Sequence, residues 1–353
     1  MKKLSIATAV PYDVLLEEGI LDQAGFYTAQ AARGRHALIV ADQNVAALYL
    51  ARVSESYRTA GFKVDTCAIA AGENYKTLDT LGQVLEAAAE AHLTRGDLLV
   101  ALGGGVTGDI TGLAAALYMR GVDFVQIPTT LLAMVDAAVG GKTAVNLPAG
   151  KNLCGAFWQP RLVLCDPTAL QTLPPRVFAE GMAEVIKHGA ICEAGLLDRV
   201  ARGEKLAGLI ADCIRIKGDI VHRDEHEGGL RRLLNFGHTF GHALEKLSGY
   251  TMYHGEGVGV GMLIAACAAE RSGLCEAGVF DELRTLLTAH KLPVSTPFSA
   301  AQVAQSAQGD KKRQGNTLIL VLPVARGQCA LRPMPIAELA DFIACCDGVV
   351  TAL

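Results

Sequence analysis

The chain has 353 residues, of which 51% are hydrophobic and 19% are charged, and its formal net charge is −4. The apolar content excludes an intrinsically disordered chain, and the mildly acidic balance argues against a nucleic-acid partner. No apolar run is long enough to predict a membrane span, and the ten scattered cysteines indicate a reducing cytoplasm.

Short apolar runs in the first half predict strands. They occupy 36–42, 63–70, 97–103, 123–128 and 161–166. Between them lie segments such as 77–93, in which apolar residues recur at helical spacing. Continuous apolar strands separated by helices are typical of a parallel sheet covered on both faces, with ligands at the carboxyl ends of the strands.

The second half has a different pattern. From Pro175 to about residue 290 it is almost wholly helical, 317–334 predicts a small hairpin, and 336–346 predicts a last helix. We place the boundary near Pro174, because paired prolines interrupt a helix. We therefore predict an α/β N-terminal dinucleotide-binding domain with a Rossmann-like parallel sheet at 1–174, followed by a mainly α-helical C-terminal domain at 175–353.

A glycine-rich segment, GGGVTGD at 103–109, follows a predicted strand and opens a predicted helix at about Gly108. Glycines let backbone amides approach an anion, so the pyrophosphate of a dinucleotide is the natural ligand, although a tight structural turn is the alternative. Asp42 ends the first clear strand. It is placed either to accept from ribose hydroxyls or simply to cap a helix.

The segment 127–152 concentrates polar residues in an otherwise apolar, glycine-rich loop region. They are Asp136, Lys142, Asn146, Lys151 and Asn152. Lysines held among small residues suit a phosphate or carboxylate ligand, whereas solvated surface lysines are the alternative interpretation.

Three predicted helices of the second half place polar residues on one face. These residues are Glu180, Glu184 and Lys187 on the first, Lys217 among apolar residues on the second, and Arg231, Asn235, His238 and His242 as a single stripe on the third. From spacing alone, His238 and His242 are the expected metal-ligand pair, with Glu184 or His254 as the third ligand of a catalytic zinc site. A nicotinamide cofactor and a metal together imply oxidation of an alcohol on an anionic substrate, in a cleft between the domains.

Nearly the whole chain resembles the 3-dehydroquinate synthases of the sugar phosphate cyclase superfamily. The matching blocks are GENYK (72–76), GGGVTGD (103–109), YMRG (118–121), IPTTLLAMVDAAVGGKTAVN (127–146), GKNLCGAFWQP (150–160), GMAEVIKHG (181–189), DEHEGGLRRLLNFGHTFGHALE (224–245), HGEGVGVGM (254–262) and GDKK (309–312). The resemblance implies a dehydroquinate synthase-like fold, a homodimer, NAD as a recycled cofactor, and Zn²⁺ or Co²⁺. Departures at Thr107 and at 146–148 fall where we expect variation to be tolerated.

The resemblance also implies a role for each site residue. The metal ligands would be Glu184, His238 and His254, which replaces the pair expected from spacing. NAD would be bound by Asp42, Glu73, Lys76, Gly104, Gly105, Asp109, Thr129, Thr130, Lys142, Lys151 and the 169–172 turn that ends at Thr172. Substrate phosphate would be held by Lys142, Asn152, Asn235, His242 and, from a second subunit, Arg120. The substrate carboxylate would be held by Lys217 and Arg231. The catalytic site would be completed by Asp136, Lys151, Lys187 and either Lys311 or Lys312.

The activity implied is conversion of 3-deoxy-D-arabino-heptulosonate 7-phosphate to 3-dehydroquinate and phosphate. Sister cyclases that make amino-dehydroquinate, valiolone or deoxy-inosose skeletons are the nearest alternative. A metal-dependent polyol dehydrogenase would need no phosphate and carboxylate cations, and a non-catalytic scaffold would not be expected to keep the candidate metal ligands.

Overall fold

The computed structural model describes residues 1–308, 313, 314, 316–346 and 348–350. The chain forms two compact units, Met1–Leu173 with Lys217–Glu225, and Pro174–Ile216 with His226–Leu353. The first unit contains a mainly parallel sheet and the second is largely helical, so the predicted fold class is confirmed. Within the described residues, no helix is both long enough and apolar enough to cross a membrane.

The first unit is built on a seven-stranded sheet of order β1-β2-β9-β6-β5-β3-β4, with a separate two-stranded β7-β8 sheet. The strands are β1 (Lys2–Ile6), β2 (Tyr12–Leu16), β3 (His36–Asp42), β4 (Lys63–Ile69), β5 (Leu98–Gly103), β6 (Asp123–Pro128), β7 (Lys142–Leu147), β8 (Gly150–Phe157) and β9 (Leu162–Cys165). All five predicted strands are present. The sequence did not predict the antiparallel β1–β2 pair, whose outer strand is mostly exposed and lacks a continuous apolar run.

The helices of this unit are α1 (Ala24–Ala31), α2 (Gln43–Val45), α3 (Ala51–Thr59), α4 (Leu78–Glu90) and α5 (Gly105–Leu117). Side chains from α4 and α5 pack with the sheet in one apolar core, which includes Val84, Ile110 and Phe124. Helix α5 begins at Gly105, three residues earlier than predicted. The amide of Gly108 donates to the carbonyl of Gly104 at 3.0 Å, so the helix starts almost directly after β5.

The predicted loop at 127–152 is wrong from Lys142 onward, because β7 and β8 form a hairpin there. Gly140 and Gly141 have φ values of 98° and 67°, which turn the chain into β7. Lys142 then pairs with Phe157, and the hydroxyl of Thr143 donates to the carbonyl of Ala156 at 2.9 Å. The predicted site residues of this segment therefore lie on a paired ribbon.

Among its described residues, the second unit contains seven further α-helices, and one more α-helix is shared between the units. They are α6 (Pro175–Cys192), α7 (Ala194–Ala201), the shared α8 (Leu206–Arg223), α9 (His238–Leu247), α10 (His254–Arg271), α11 (Val279–Ala289), α12 (Ala300–Ala307) and α13 (Leu339–Ala344). A small antiparallel sheet is formed by β10 (Arg313–Gln314), β11 (Thr317–Ala325) and β12 (Gln328–Pro335). The predicted late hairpin and last helix are confirmed.

The single helix predicted to carry Arg231, Asn235, His238 and His242 is wrong. Leu230–Asn235 is a 3₁₀ turn, and Gly237 has a φ of 78° and interrupts the chain before α9. A side chain at this glycine would meet the carbonyl oxygen of Val258 on α10 at 2.6 Å. The break therefore follows from the close approach of α10, which local helical spacing does not report.

Replacing Gly237 by alanine tests this constraint. We expect Gly249→Ala, which also has a left-handed backbone but no atom within 4 Å of a new Cβ, to cost about 1 kcal/mol. Gly237→Ala carries the same backbone cost and a clash, so its loss should exceed about 2 kcal/mol. Thermal and denaturant unfolding of both variants measure the difference, and equal losses would contradict the argument.

Candidate active site

The carboxyl ends of neighbouring parallel strands in the first unit form one edge. Asp42 ends β3, Gly103 ends β5, and Thr129 follows β6, with its amide donating to the carbonyl of Gly103 at 2.9 Å. The hydroxyl oxygen of Thr129 is buried and has no hydrogen-bond partner within the described residues. An unsatisfied buried hydroxyl beside the start of α5 fits a polar, anionic ligand such as a dinucleotide.

Asp42 has the capping role that the sequence left open. Its Oδ1 accepts from the amides of Asn44 and Val45 at 3.1 and 3.2 Å, and its Oδ2 accepts from the Thr107 hydroxyl at 3.3 Å. Thr107 is thus tied to a predicted cofactor residue, although the sequence gave no sign of this.

The other predicted cofactor residues of this edge are closely packed against neighbouring residues. A Cβ at Gly104 would lie 3.1 Å from Thr130, whose hydroxyl accepts from the amide of Ala133 at 3.1 Å. A Cβ at Gly105 would lie 3.2 Å from the side chain of Ala137. The Thr172 hydroxyl lies 2.7 Å from that of Tyr49, so it is already hydrogen-bonded within the protein.

Lys76 is buried and lies at the centre of a polar network in the first unit. Its ammonium is paired with the carboxylate of Asp109 and donates to the side-chain oxygen of Asn152 at 2.6 Å. Burial raises the pKa of Asp109, and the charge of Lys76 partly offsets that rise. Asn146 donates to Glu73 at 2.8 Å and accepts from the Asn152 amide at 2.8 Å. Asn146 therefore links two predicted site residues, Glu73 and Asn152, whereas we had expected its position to tolerate variation.

Lys217 is buried in the first unit, as its place among apolar residues predicted. Its ammonium lies 2.6 Å from the carboxylate of Asp136 and donates to the backbone oxygen of that residue at 2.6 Å. The expected carboxylate-binding cation is thus already paired with a protein carboxylate. Of the remaining predicted residues in this unit, Lys151 is half-buried, and Arg120, Lys142 and Asn152 are exposed.

Three metal-binding side chains converge in the second unit. Glu184 from α6, His238 from α9 and His254 from α10 place one ligand atom each within 4.8 Å of the others. The Nε2 atoms of His238 and His254 lie 3.8 and 3.6 Å from Oε1 of Glu184. Lys187, also buried, is paired with the same carboxylate through Oε2.

This donor set fits a zinc or cobalt ion. Two ligands about 2.1 Å from a tetrahedral ion are about 3.3 Å apart, close to both nitrogen–oxygen distances from Glu184. The Nδ1 atoms face away from the cluster, toward the carbonyl oxygen of Phe236 at 3.1 Å and the carboxylate of Glu245 at 2.9 Å. Both rings therefore present Nε2 to the same point, with one carboxylate oxygen beside it.

Burial lowers the pKa of His238 well below its ordinary value, which keeps the ring neutral and able to bind a metal. Burial also lowers the pKa of His254, but the neighbouring carboxylates of Glu184 and Glu245 outweigh it and raise that pKa to about 10. The two rings therefore differ in the charge of their surroundings.

His242 is exposed and belongs to a second group of potential metal ligands, with Glu245 and His254. Within the described residues, no such group contains both His238 and His242, the pair expected from spacing. Glu245 was not predicted as a site residue. It follows His238 by seven positions on α9, so the two share a helix face, but spacing alone could not place His254 beside it.

The remaining predicted residues of the second unit lie before α9 or outside the described residues. Arg231 is fully buried in the 3₁₀ turn. Asn235 donates to the carboxylate of Glu227 at 2.8 Å, a contact that the sequence did not predict. Lys311 and Lys312 lie outside the described residues.

Known proteins are similar to this chain in sequence and in fold. The family models for the N-terminal and C-terminal regions of 3-dehydroquinate synthase match residues 66–180 and 181–313. A 3-dehydroquinate synthase from Microcystis aeruginosa is 44% identical over 333 residues, 91% of each chain.

Two solved structures are also similar. A 2-deoxy-scyllo-inosose synthase complexed with carbaglucose-6-phosphate, NAD⁺ and Co²⁺ has a TM-score of 0.87 at 27% identity, over 97% of this chain and 99% of its own. The 2-epi-5-epi-valiolone synthase from Streptomyces hygroscopicus with NAD⁺ and Zn²⁺ has a TM-score of 0.87 at 28% identity, over 97% and 98%.

Removing Lys76 tests the polar network of the first unit. We expect Lys76→Met to cost more than about 2 kcal/mol, because the Asp109 carboxylate, whose side chain is only 20% exposed, loses its main partner. A second change, Asp109→Asn, should restore much of that stability. Unfolding of the single and double variants measures the coupling, and Lys3→Met, at an exposed pair with Asp13, should cost less than about 1 kcal/mol. Equal losses at the two lysines would contradict the buried pair.

Proposed function

Because the chain belongs to the 3-dehydroquinate synthase family, we propose that it converts 3-deoxy-D-arabino-heptulosonate 7-phosphate to 3-dehydroquinate and phosphate. This is the second step of the shikimate pathway, toward chorismate and the aromatic amino acids. The observation that carries the proposal is the convergence of Glu184, His238 and His254 in a member of this family. The ten cysteines, all of them free thiols, support a cytoplasmic location.

We assign NAD to the strand edge of the first unit and a divalent zinc or cobalt ion to the triad of the second. When bound, NAD supplies a reversible hydride acceptor and the metal supplies Lewis acidity, so the overall reaction is a redox-neutral carbon–oxygen lyase reaction. Two similar solved structures carry NAD⁺ with Co²⁺ or Zn²⁺, which supports this assignment. The buried hydroxyl of Thr129 and the two Nε2 atoms facing Glu184 are the observations from this chain.

The cations of this chain are assigned to the two anionic ends of the substrate. The phosphate-binding groups are Lys142, Asn152, Asn235 and His242. Arg231 and Lys217 bind the carboxylate, and Lys217 does so by exchanging Asp136 for the ligand, since the two are paired at 2.6 Å. Asp136, freed by that exchange, becomes available to accept a proton. Lys151 and Lys187 hold positive charge where the substrate develops negative charge.

The alternative cyclases are less well supported. The deoxy-inosose and valiolone synthases of known structure are 27% and 28% identical to this chain, against 44% for the Microcystis 3-dehydroquinate synthase. A substrate carboxylate also explains why Arg231 and Lys217 are buried cations. An aminated substrate would use the same groups, so identification of the product distinguishes an amino-dehydroquinate synthase from a 3-dehydroquinate synthase.

We also propose a homodimer in which Arg120 reaches the site of the partner subunit. Arg120 is exposed with a φ of 64°, next to Met119, which is exposed with a φ of 49°. Two exposed apolar side chains, Leu153 and Phe157, lie on β8 of the same unit. Trp158 donates to the carbonyl of Val122 at 3.0 Å and links this ribbon to the segment after Arg120. A second copy covering these side chains would remove apolar surface from water.

Phosphate release from the heptulosonate phosphate tests the main proposal. With catalytic amounts of NAD and zinc, we expect phosphate and 3-dehydroquinate to form in equal amounts while absorbance shows no accumulated NADH. Omitting NAD should abolish release, because NAD is the hydride acceptor. Catalytic amounts should suffice, because the cofactor is recycled and not consumed.

Other outcomes identify the alternatives. Turnover of a neutral sugar phosphate in place of the heptulosonate would assign the chain to a sister cyclase. An aminated product would indicate the amino-dehydroquinate variant, and NADH accumulation on simple polyols would indicate a dehydrogenase. Each of these would overturn the main proposal.

Mixing two inactive variants tests the role of Arg120. The Arg120→Ala and His254→Ala chains should each be inactive, and subunit exchange between them should restore about a quarter of the parent activity, because half of the chains enter heterodimers with one complete site each. Gel filtration checks that both variants dimerise. If Arg120 acts within its own subunit, mixing restores nothing.

A further inference from the structure

His254 faces a different carboxylate with each of its ring nitrogens. Its Nε2 lies 3.6 Å from Oε1 of Glu184, the shared member of the metal triad. Its Nδ1 lies 2.9 Å from Oε1 of Glu245. Both carboxylates are almost completely buried, with 0% and 1% of their side chains exposed, so each is confined to its place.

The two distances distinguish Glu184, which could bind a metal ion together with His254, from Glu245, which orients the ring of His254. Ligand atoms on a tetrahedral zinc ion are about 3.3 Å apart, which the 3.6 Å gap to Glu184 accommodates after a small contraction. The 2.9 Å gap to Glu245 is the length of an ordinary hydrogen bond and leaves no room for an ion between the two atoms. Glu245 therefore acts through the ring of His254 and does not touch the metal.

The position of Glu245 is fixed by the packing of its helix. It lies on α9, seven residues after His238, and its Cγ would be 3.4 Å from a Cβ at Gly257 on α10. This is an ordinary van der Waals distance, so the Glu245 side chain lies against the first turn of α10, where His254 begins the helix. His238, in contrast, is held by the uncharged carbonyl of Phe236 at 3.1 Å.

We propose that Glu245 is the positioning residue for the metal ligand His254. Its carboxylate accepts a hydrogen bond from the Nδ1–H group, which fixes the ring tautomer and directs the Nε2 lone pair toward the point that Glu184 and His238 also face. The ion that these side chains would bind is a divalent ion such as zinc or cobalt. This inference rests on the metal centre assigned under the proposed function, but it concerns metal affinity and not turnover.

Three variants test the proposal through metal binding alone. We expect Glu245→Ala to weaken Zn²⁺ and Co²⁺ binding by about 10–100-fold, measured by competition with a chromophoric chelator in the absence of substrate. Glu245→Gln keeps an acceptor oxygen, so its loss should be clearly smaller. Glu270→Gln is the matched control, since that carboxylate accepts from the amide of Phe280 at 2.7 Å at the other end of α10 and should leave affinity unchanged.

The visible spectrum of the Co²⁺ form separates orientation from ligation. The Glu245→Gln protein should keep the band intensity and coordination number of the parent, because its ligand set is unchanged. A changed coordination number would make Glu245 a ligand together with His242 and overturn the proposal. Parent-like affinity in Glu245→Ala, or equal losses in Glu245→Gln and Glu270→Gln, would overturn it as well.

The same experiments keep this inference separate from the proposed activity. If the parent binds one metal ion but releases no phosphate, the proposed function fails while the affinity series still decides the role of Glu245. If Glu245→Ala does not fold, Glu245→Gln carries the test, since it is nearly the same size. Thermal unfolding of each metal-free variant shows whether a change in affinity reflects a change in fold.

Discussion

The close contact between α9 and α10 is the constraint on which the candidate metal centre depends. A Cβ at Gly261 would lie 2.0 Å from the carbonyl oxygen of Gly237, and one at Gly241 would lie 2.9 Å from the backbone of Gly257. The two helices therefore meet backbone to backbone, closer than ordinary side chains permit. This approach brings His238 and His254 to within 5.2 Å, ring centre to ring centre, although they belong to different helices.

The correctly predicted parts of the fold are those in which burial of the chain requires a recognisable local pattern of apolar residues. Strand β5 is buried at every position, so a continuous apolar run reveals it. Strand β8 is half-exposed and rich in small residues, and its pairing depends on the turn at Gly140 and Gly141, so no local pattern indicated it. The break at Gly237 is the clearest failure, because helical spacing continues through it and only the backbone of α10 requires it.

Some residues of the candidate site could likewise be predicted from local sequence, and others depend on how distant segments pack. Residue types and blocks of sequence indicated Glu184, His238 and Lys217, whereas the choice between His242 and His254 depends on how α10 packs. The hydrogen bonds that hold the predicted residues in place were not predicted: Asn146, which the sequence indicated only as part of a polar loop, lies between Glu73 and Asn152, and Glu245 lies behind His254. Asparagine and glutamate are common on any surface, and only the fold turns them into hydrogen-bond partners of a site.

Three buried lysines of this chain share one property that bears on how it would bind anions. Lys76 is paired with Asp109, Lys217 with Asp136, and Lys187 with Glu184. A buried cation without a partner would cost several kcal/mol, so the ligand-free protein needs these carboxylates. Under the proposed assignment, an anionic substrate that binds Lys217 would replace the carboxylate of Asp136, so its binding energy would be the difference between two ion pairs. Such an exchange would limit ground-state affinity and would leave the released carboxylate beside the reacting molecule, where it could take up a proton.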